Sequence, residues 1–202
     1  MFDTAPALVL FAIASSITPG PNNIMLLASG ANFGLRRTLP HMLGISSGHM
    51  IQVALVGLLL LSIFERYPLL QTLLLVPCAI YLLYLAWRVA NAAPPGEAGA
   101  TSQPLTALQA AAFQWVNPKA WYMAIYAQTN FAPDAPLLVS ASLVAVSFGL
   151  VNLPSILVWA WGGVQARRLL QTRTRLRIFN VTMALCLVAS LYPMIGTVLG
   201  ES

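Results

Sequence analysis

Apolar stretches of more than about 18 residues recur along the whole chain, and each is long enough for a helix to cross the hydrocarbon core of a bilayer. Six can be read between charged or turn-forming segments: 5–33, 39–64, 68–90, 105–131, 137–164 and 178–199. A backbone in lipid must satisfy its own hydrogen bonds, and the alternation of barrel strands is missing, so the expected fold is an all-α membrane protein with six transmembrane helices. Composition points the same way: 58% of the 202 residues are hydrophobic and 7% are charged, where soluble proteins carry about 25% charged residues. An ordinary soluble enzyme is excluded. The chain opens on an acidic Met1-Phe2-Asp3 with no evident cleavage site before residue 33, so the first stretch reads as a retained span rather than a secretory signal.

Ten basic and five acidic residues give a net charge of +5. In a membrane protein such an excess belongs to cytoplasmic loops rather than to nucleic-acid binding. Eight of the ten, Arg36, Arg37, Arg88, Arg167, Arg168, Arg173, Arg175 and Arg177, follow spans one, three and five, while Arg66 stands alone on the other side. Both termini are therefore expected to face outward. The hydrophilic linker 91–104, rich in proline, glycine and small polar residues, is expected on the cytoplasmic side, between a first three-helix repeat, 1–90, and a second, 105–202. Three spans per half force the second half to enter the membrane in the opposite direction, which is the arithmetic of an inverted repeat. Pro21 lies near the middle of span one and Pro118 near the middle of span four. Each half thus opens with an interrupted helix, the pattern that places a transport site near mid-membrane at the repeat interface.

The first interruption reads Thr18-Pro19-Gly20-Pro21-Asn22-Asn23. Two prolines flanking a glycine remove backbone donors and favour a break. The amides of Asn23, Ile24 and Met25 are expected to form a fresh helical N-terminus suited to a carboxylate, with Asn22 and Asn23 adding polar side chains. The second interruption, Gln114-Trp115-Val116-Asn117-Pro118-Lys119, places a lysine close to mid-bilayer. An intramembrane lysine is costly and usually functional. As a cation it would bind a substrate carboxylate, as a neutral amine it would accept a proton, and either role is compatible with pairing to carbonyls freed in span one.

All five acids, Asp3, Glu65, Glu97, Asp134 and Glu201, fall at span ends, loops or termini. With no carboxylate inside a span to hold a cationic side chain, small neutral amino acids fit better than lysine or arginine. His49 is a further candidate for proton coupling, weighed against a hydrogen-bonded packing histidine. Asn152, beside Pro154 in span five, is within reach of the cavity. Gly44-Ile-Ser-Ser-Gly48 reads as a close helix contact. Trp87, Trp159, Trp161 and Tyr67 read as interfacial anchors. Cys78 and Cys186 read as packing residues, with no cysteine–histidine cluster for a metal. No cofactor is expected, and the lack of a phosphate-binding loop excludes an ATP-driven pump within the chain.

The segments TPGPNNIML, GISSGHMIQVALVG, AIYLLYLAWRVA and FQWVNPKAW together resemble the LysE/RhtB family of bacterial amino-acid exporters, over most of the chain. TPGPNNI and the FQWVN context are most similar to the branch that includes cysteine and O-acetylserine exporters. The resemblance implies a secondary exporter in the bacterial inner membrane, working by alternating access and driven by the proton gradient. It carries the family's core motif onto Pro19, Gly20, Pro21, Asn22, Asn23, Asn117, Pro118 and Lys119. Gln114 and Asn152 complete the expected substrate-binding set, with Lys119 and His49 for proton coupling. Expected partners are a small-molecule substrate and membrane lipid, with homo-oligomerisation left open. The competing reading is a channel or uncoupled facilitator for small zwitterions.

Overall fold

The computed structural model describes residues 5–60, 63, 66–67, 69–92, 103–170 and 172–191. Linker residues 93–102, the acids Asp3, Glu65, Glu97 and Glu201, and the side chain of Cys78 lie outside the described residues. Among the described residues all regular structure is helical. Helices α1 (Ala5–Ile17) and α2 (Pro21–Phe33) form the broken first segment. They are followed by α3 (Leu35–Leu55, continued by a π-helical stretch Val56–Leu60) and α4 (Leu69–Ala90). The second broken segment is α5 (Ala107–Gln114) with α6 (Pro118–Phe131), followed by α7 (Leu137–Arg167) and α8 (Arg173–Ala189). Two stretches, Leu35–Leu60 and Leu137–Arg167, are each long and apolar enough to cross a membrane unbroken.

Two helices begin earlier than hydropathy suggests, α3 at Leu35 and α8 at Arg173. Both open on arginines, so the helix extends beyond its apolar part. Thr172 caps α8 by accepting from the Arg175 amide at 3.3 Å. Thr106 and Gln109 close a reciprocal capping box at the start of α5, which satisfies two otherwise unpaired amides. Only Gly34 separates α2 from α3, and its φ of 78° with ψ of 167° belongs to a region open to glycine. Pro40 and Pro154 sit inside α3 and α7 without ending them.

In lipid there is no hydrophobic force between helices, so association rests on close packing of small residues and on buried hydrogen bonds. α7 lies against α1, α2 and α3, α3 also against α5, and α4 against α8. At the α2–α7 crossing, a Cβ on Gly30 would strike the Ala160 carbonyl oxygen, and one on Gly163 would strike that of Leu27. Gly44 and Gly48 bring α3 equally close to Ala107 and Ala111 of α5, the near approach expected of the GxxxG pattern. Asn32 of α2 and Asn180 of α8 exchange hydrogen bonds of 2.7 and 3.1 Å. Buried apolar residues form two clusters, one around Leu26, Ile45, Phe113 and Ile156, the other around Leu8, Val53, Met123 and Phe148. Cys186 is exposed on the outside of α8 rather than packed inside.

Candidate transport site

Where α1 ends, the backbone carbonyls of residues 16 to 19 lose the partners a continuous helix would give them, because Pro19 and Pro21 carry no N–H and Gly20 is extended. Inside lipid every such group needs another donor. The Asn23 amide nitrogen, one turn into the chain's next helix, donates to Ser16 O at 2.7 Å and to Thr18 O at 2.8 Å. Trp159 Nε1 of α7 donates to Ile17 O at 2.9 Å. Lys119 Nζ, from the second broken segment, donates to Thr18 O at 2.6 Å and to Pro19 O at 3.3 Å. The four carbonyls are thus accounted for by three side chains, two of them from outside this broken segment. Trp159, read from sequence as an interfacial anchor, is thus also a prop of the break.

At the second break the turn tightens, with Trp115, Val116 and Asn117 amides reaching back three residues. The Trp115 carbonyl accepts from Trp121 Nε1 at 2.9 Å. Asn117 is the N-cap of α6, its side chain accepting from the Lys119 amide at 3.2 Å, and Pro118 takes the first helical position, where a missing N–H costs nothing. Pro21 holds the same position in α2. Since α2 starts there, and Ile24 N bonds Gly20 O at 2.9 Å, the amides left at its N-terminus are those of Asn22 and Asn23, not of Ile24 and Met25.

The two breaks grip one another. Lys119, second residue of α6, holds the carbonyls of the first break, while Asn22, second residue of α2, pairs with Gln114 before the second break through bonds of 2.9 and 3.2 Å. Gly20 is small because the lysine lies over it: a Cβ there would stand 2.8 Å from Lys119 Cδ and 3.1 Å from Nζ.

A cavity with ≈ 260 Å³ of empty space, its mouth included, opens between the breaks. Of the residues expected from sequence, Gly20, Asn22, Asn23, Asn117, Lys119 and Asn152 line it. Pro19 contributes its carbonyl to Lys119, Pro21 and Pro118 start the half-helices, and Gln114 stands behind Asn22. His49 is buried outside the cavity, its Nδ1 3.2 Å from Gln52 Oε1 and its ring edge-on to Phe148. Both amide hydrogens of Asn23 are committed to the break, so it cannot donate to a ligand from that group. Asn152 Nδ2 donates to Ser16 Oγ at 3.1 Å, while its Oδ1 is buried without a partner.

Four lining residues escaped the sequence reading: Ser15, Ser16, Met123 and Ile156. Met123 and Ile156 follow Lys119 and Asn152 by one helical turn each, a spacing that puts them on the same face. The arrangement offers a cation, an unpartnered amide oxygen and a short apolar wall. A zwitterion with a small side chain is complementary to these three features. Among the described residues the acid is Asp134, exposed in the loop between α6 and α7.

The family model for LysE type translocators matches residues 13–190 of the chain. The chain belongs to that family. Among curated proteins it is similar to the cysteine/O-acetylserine efflux proteins of Escherichia coli (strain K12), Shigella flexneri and Shigella sonnei (strain Ss046). Each is 30% identical over 179 residues, covering 88% of this chain and 90% of the relative. No solved structure matches it. Family membership makes the chain a transporter of the multi-pass inner-membrane type and not an enzyme.

Proposed function

We propose that this protein is a secondary exporter of small neutral amino acids or closely related metabolites. In this reading the Lys119 ammonium receives the substrate carboxylate and the Asn152 Oδ1 receives its ammonium group. Asn22 adds polar contacts, and Met123 and Ile156 limit the side chain. The observation that carries it is Lys119, held between the two breaks by backbone carbonyls in the same cavity as the unpartnered Asn152 oxygen. The name of the similar efflux proteins supports cysteine and O-acetylserine as the first substrates to try.

Six spans in two inverted repeats, 1–90 and 105–202, joined by a cytoplasmic linker, go with this function, both termini being periplasmic. Support comes from each half opening on a broken pair whose second helix starts at proline, and from the reciprocal grip of Lys119 and Asn22. Alternating access is supported by what lies on either side of the cavity. Toward the α2 C-terminus stand the Gly30 and Gly163 contacts and the Asn32–Asn180 pair. Toward the α1 N-terminus stand Phe11, Tyr126, Phe131 and Phe148, ring against ring. Lys119 is the proposed proton-coupling group, with His49, buried outside the cavity and bonded to Gln52, the second candidate.

The test is counterflow in proteoliposomes with labelled O-acetylserine, cysteine, alanine, lysine and arginine. Uptake of the small neutral compounds, with little of the cationic ones, is the expected result. Accumulation against a gradient should then collapse when an ionophore dissipates the proton gradient. Equilibration without accumulation would identify an uncoupled facilitator instead.

A further inference from the structure

Behind Asn22 a line of buried polar groups runs away from the cavity, and each member is placed by the next. Gln114, fully buried, pairs its side-chain amide with Asn22 and also donates to Ala110 O at 2.9 Å. Its backbone carbonyl, at the last residue of α5, accepts from Gln52 Nε2 of α3 at 2.9 Å. Without Gln52 that carbonyl would keep only the strained Asn117 amide contact at 3.4 Å, too long for a good bond in a site closed to water. A carbonyl can only accept, so the NH₂ of Gln52 must face Gln114 and its Oε1 must face His49. His49 then donates from Nδ1, and its Nε2 is left buried with no partner. Gln52 and Gln114 are both 0% exposed, so neither can turn to water for a substitute.

We propose that Gln52 is a positioning residue of the transport site. Oriented by His49, it fixes the Gln114 carbonyl at the end of α5 and thereby holds the Gln114–Asn22 pair that presents Asn22 to the cavity. The inference rests on the exporter reading of that cavity. It gives α3, which contributes no lining residue, a hold on Asn22 of the first broken segment by way of Gln114 in the second. Next along α3, the Val53 carbonyl accepts from Gln128 Nε2 of α6 at 2.9 Å. Gln128 also donates to Ala141 O at 3.2 Å but makes no bond to Asn22 or Gln114. It is a buried amide of the same kind in the same region, which makes it the natural control.

The experiment compares Gln52→Met and Gln128→Met by counterflow with labelled O-acetylserine and cysteine, each also in an Asn22→Ala background. Of the two hydrogen bonds lost in Gln52→Met, the one to the Gln114 carbonyl reaches the site; at about 0.5–1.5 kcal/mol, its loss should raise KM roughly 2- to 12-fold with kcat little changed. If Gln52 acts through Asn22, that rise disappears once Asn22 is alanine. Gln128→Met should leave KM as in the wild type. A rise that persists undiminished in Asn22→Ala, or an equal rise in Gln128→Met, overturns the inference. Should Gln52→Met fail to fold, Gln52→Asn, polar but one methylene too short to span the gap, is expected to give the same KM pattern. Hydrogen exchange of the segment 18–27 in detergent supplies a reading that needs no substrate. It should quicken in either Gln52 variant and not in Gln128→Met, and unchanged exchange overturns the tether. A wild-type protein without counterflow of any amino acid would count against the exporter reading itself.

Discussion

Lys119 and Gly20 make a pair in which one residue's chemistry depends on the other's emptiness. Lys119→Met keeps a similar stem and removes the ammonium, so two carbonyls and any substrate carboxylate lose a charged donor. Such bonds are worth about 1.5–3 kcal/mol, and transport should fall roughly 10- to 100-fold, measured as initial counterflow rate, while the apolar replacement still inserts. Gly20→Ala should reproduce much of that loss without touching the charge. The new methyl would stand 2.8 Å from Lys119 Cδ, and because this is a flexible side chain, the lysine moves and the backbone stays. Normal size-exclusion behaviour with impaired transport is the expected signature; unimpaired transport would mean that the lysine's position over Gly20 is unimportant. Lysine in an apolar span and the Pro-Gly-Pro break were visible in sequence because both violate a local rule. Pairing of the lysine with carbonyls freed in span one was legible too, but that the acceptors are those of Thr18 and Pro19 was not, since it depends on a contact 100 residues away.

Two glycines, Gly30 inside α2 and Gly34 just past its end, predict opposite kinds of damage. At Gly34 a side chain has room, the nearest atom being Arg167 Nη1 at 3.8 Å, but φ is 78°. Gly34→Ala should therefore cost about 1–3 kcal/mol through backbone strain alone. Gly30 is an ordinary helical residue whose Cβ would meet the Ala160 backbone. Gly30→Ala must push α2 from α7, a cost of about 1–3 kcal/mol from overpacking, and should open the Asn32–Asn180 pair as well. Thermal melts in detergent read both. Accelerated labelling of a cysteine in place of Ala184, buried one turn after Asn180 on α8, in Gly30→Ala only, separates them. At this scale the sequence revealed which segments are helical and where they break, through proline and hydropathy. It misplaced the starts of α3 and α8, where arginines hide a helix from a hydropathy criterion. It missed Trp159 and Gln52 as props because a hydrogen bond between helices leaves no periodic trace in either one.

For the molecule as a whole, orientation is the property that arginine counting predicts and geometry alone does not. On a background lacking Cys78 and Cys186, a cysteine in the linker 91–104 should resist a membrane-impermeant thiol reagent in intact cells, and one beside Asp134 should react. Labelling of the linker from outside would reverse the proposed topology. The joint between α2 and α3 bears on how such a molecule can move. Because one residue connects them, α2 has no slack and can only swing as a rigid arm of about 20 Å pivoting on Gly34. A turn of about 10° at that pivot sweeps the far end, where Asn22 sits, through about 3 Å, the length of a single hydrogen bond. Leverage of this kind would let a small tilt at the α2–α3 joint undo the Asn22–Gln114 pair at the other end of the helix.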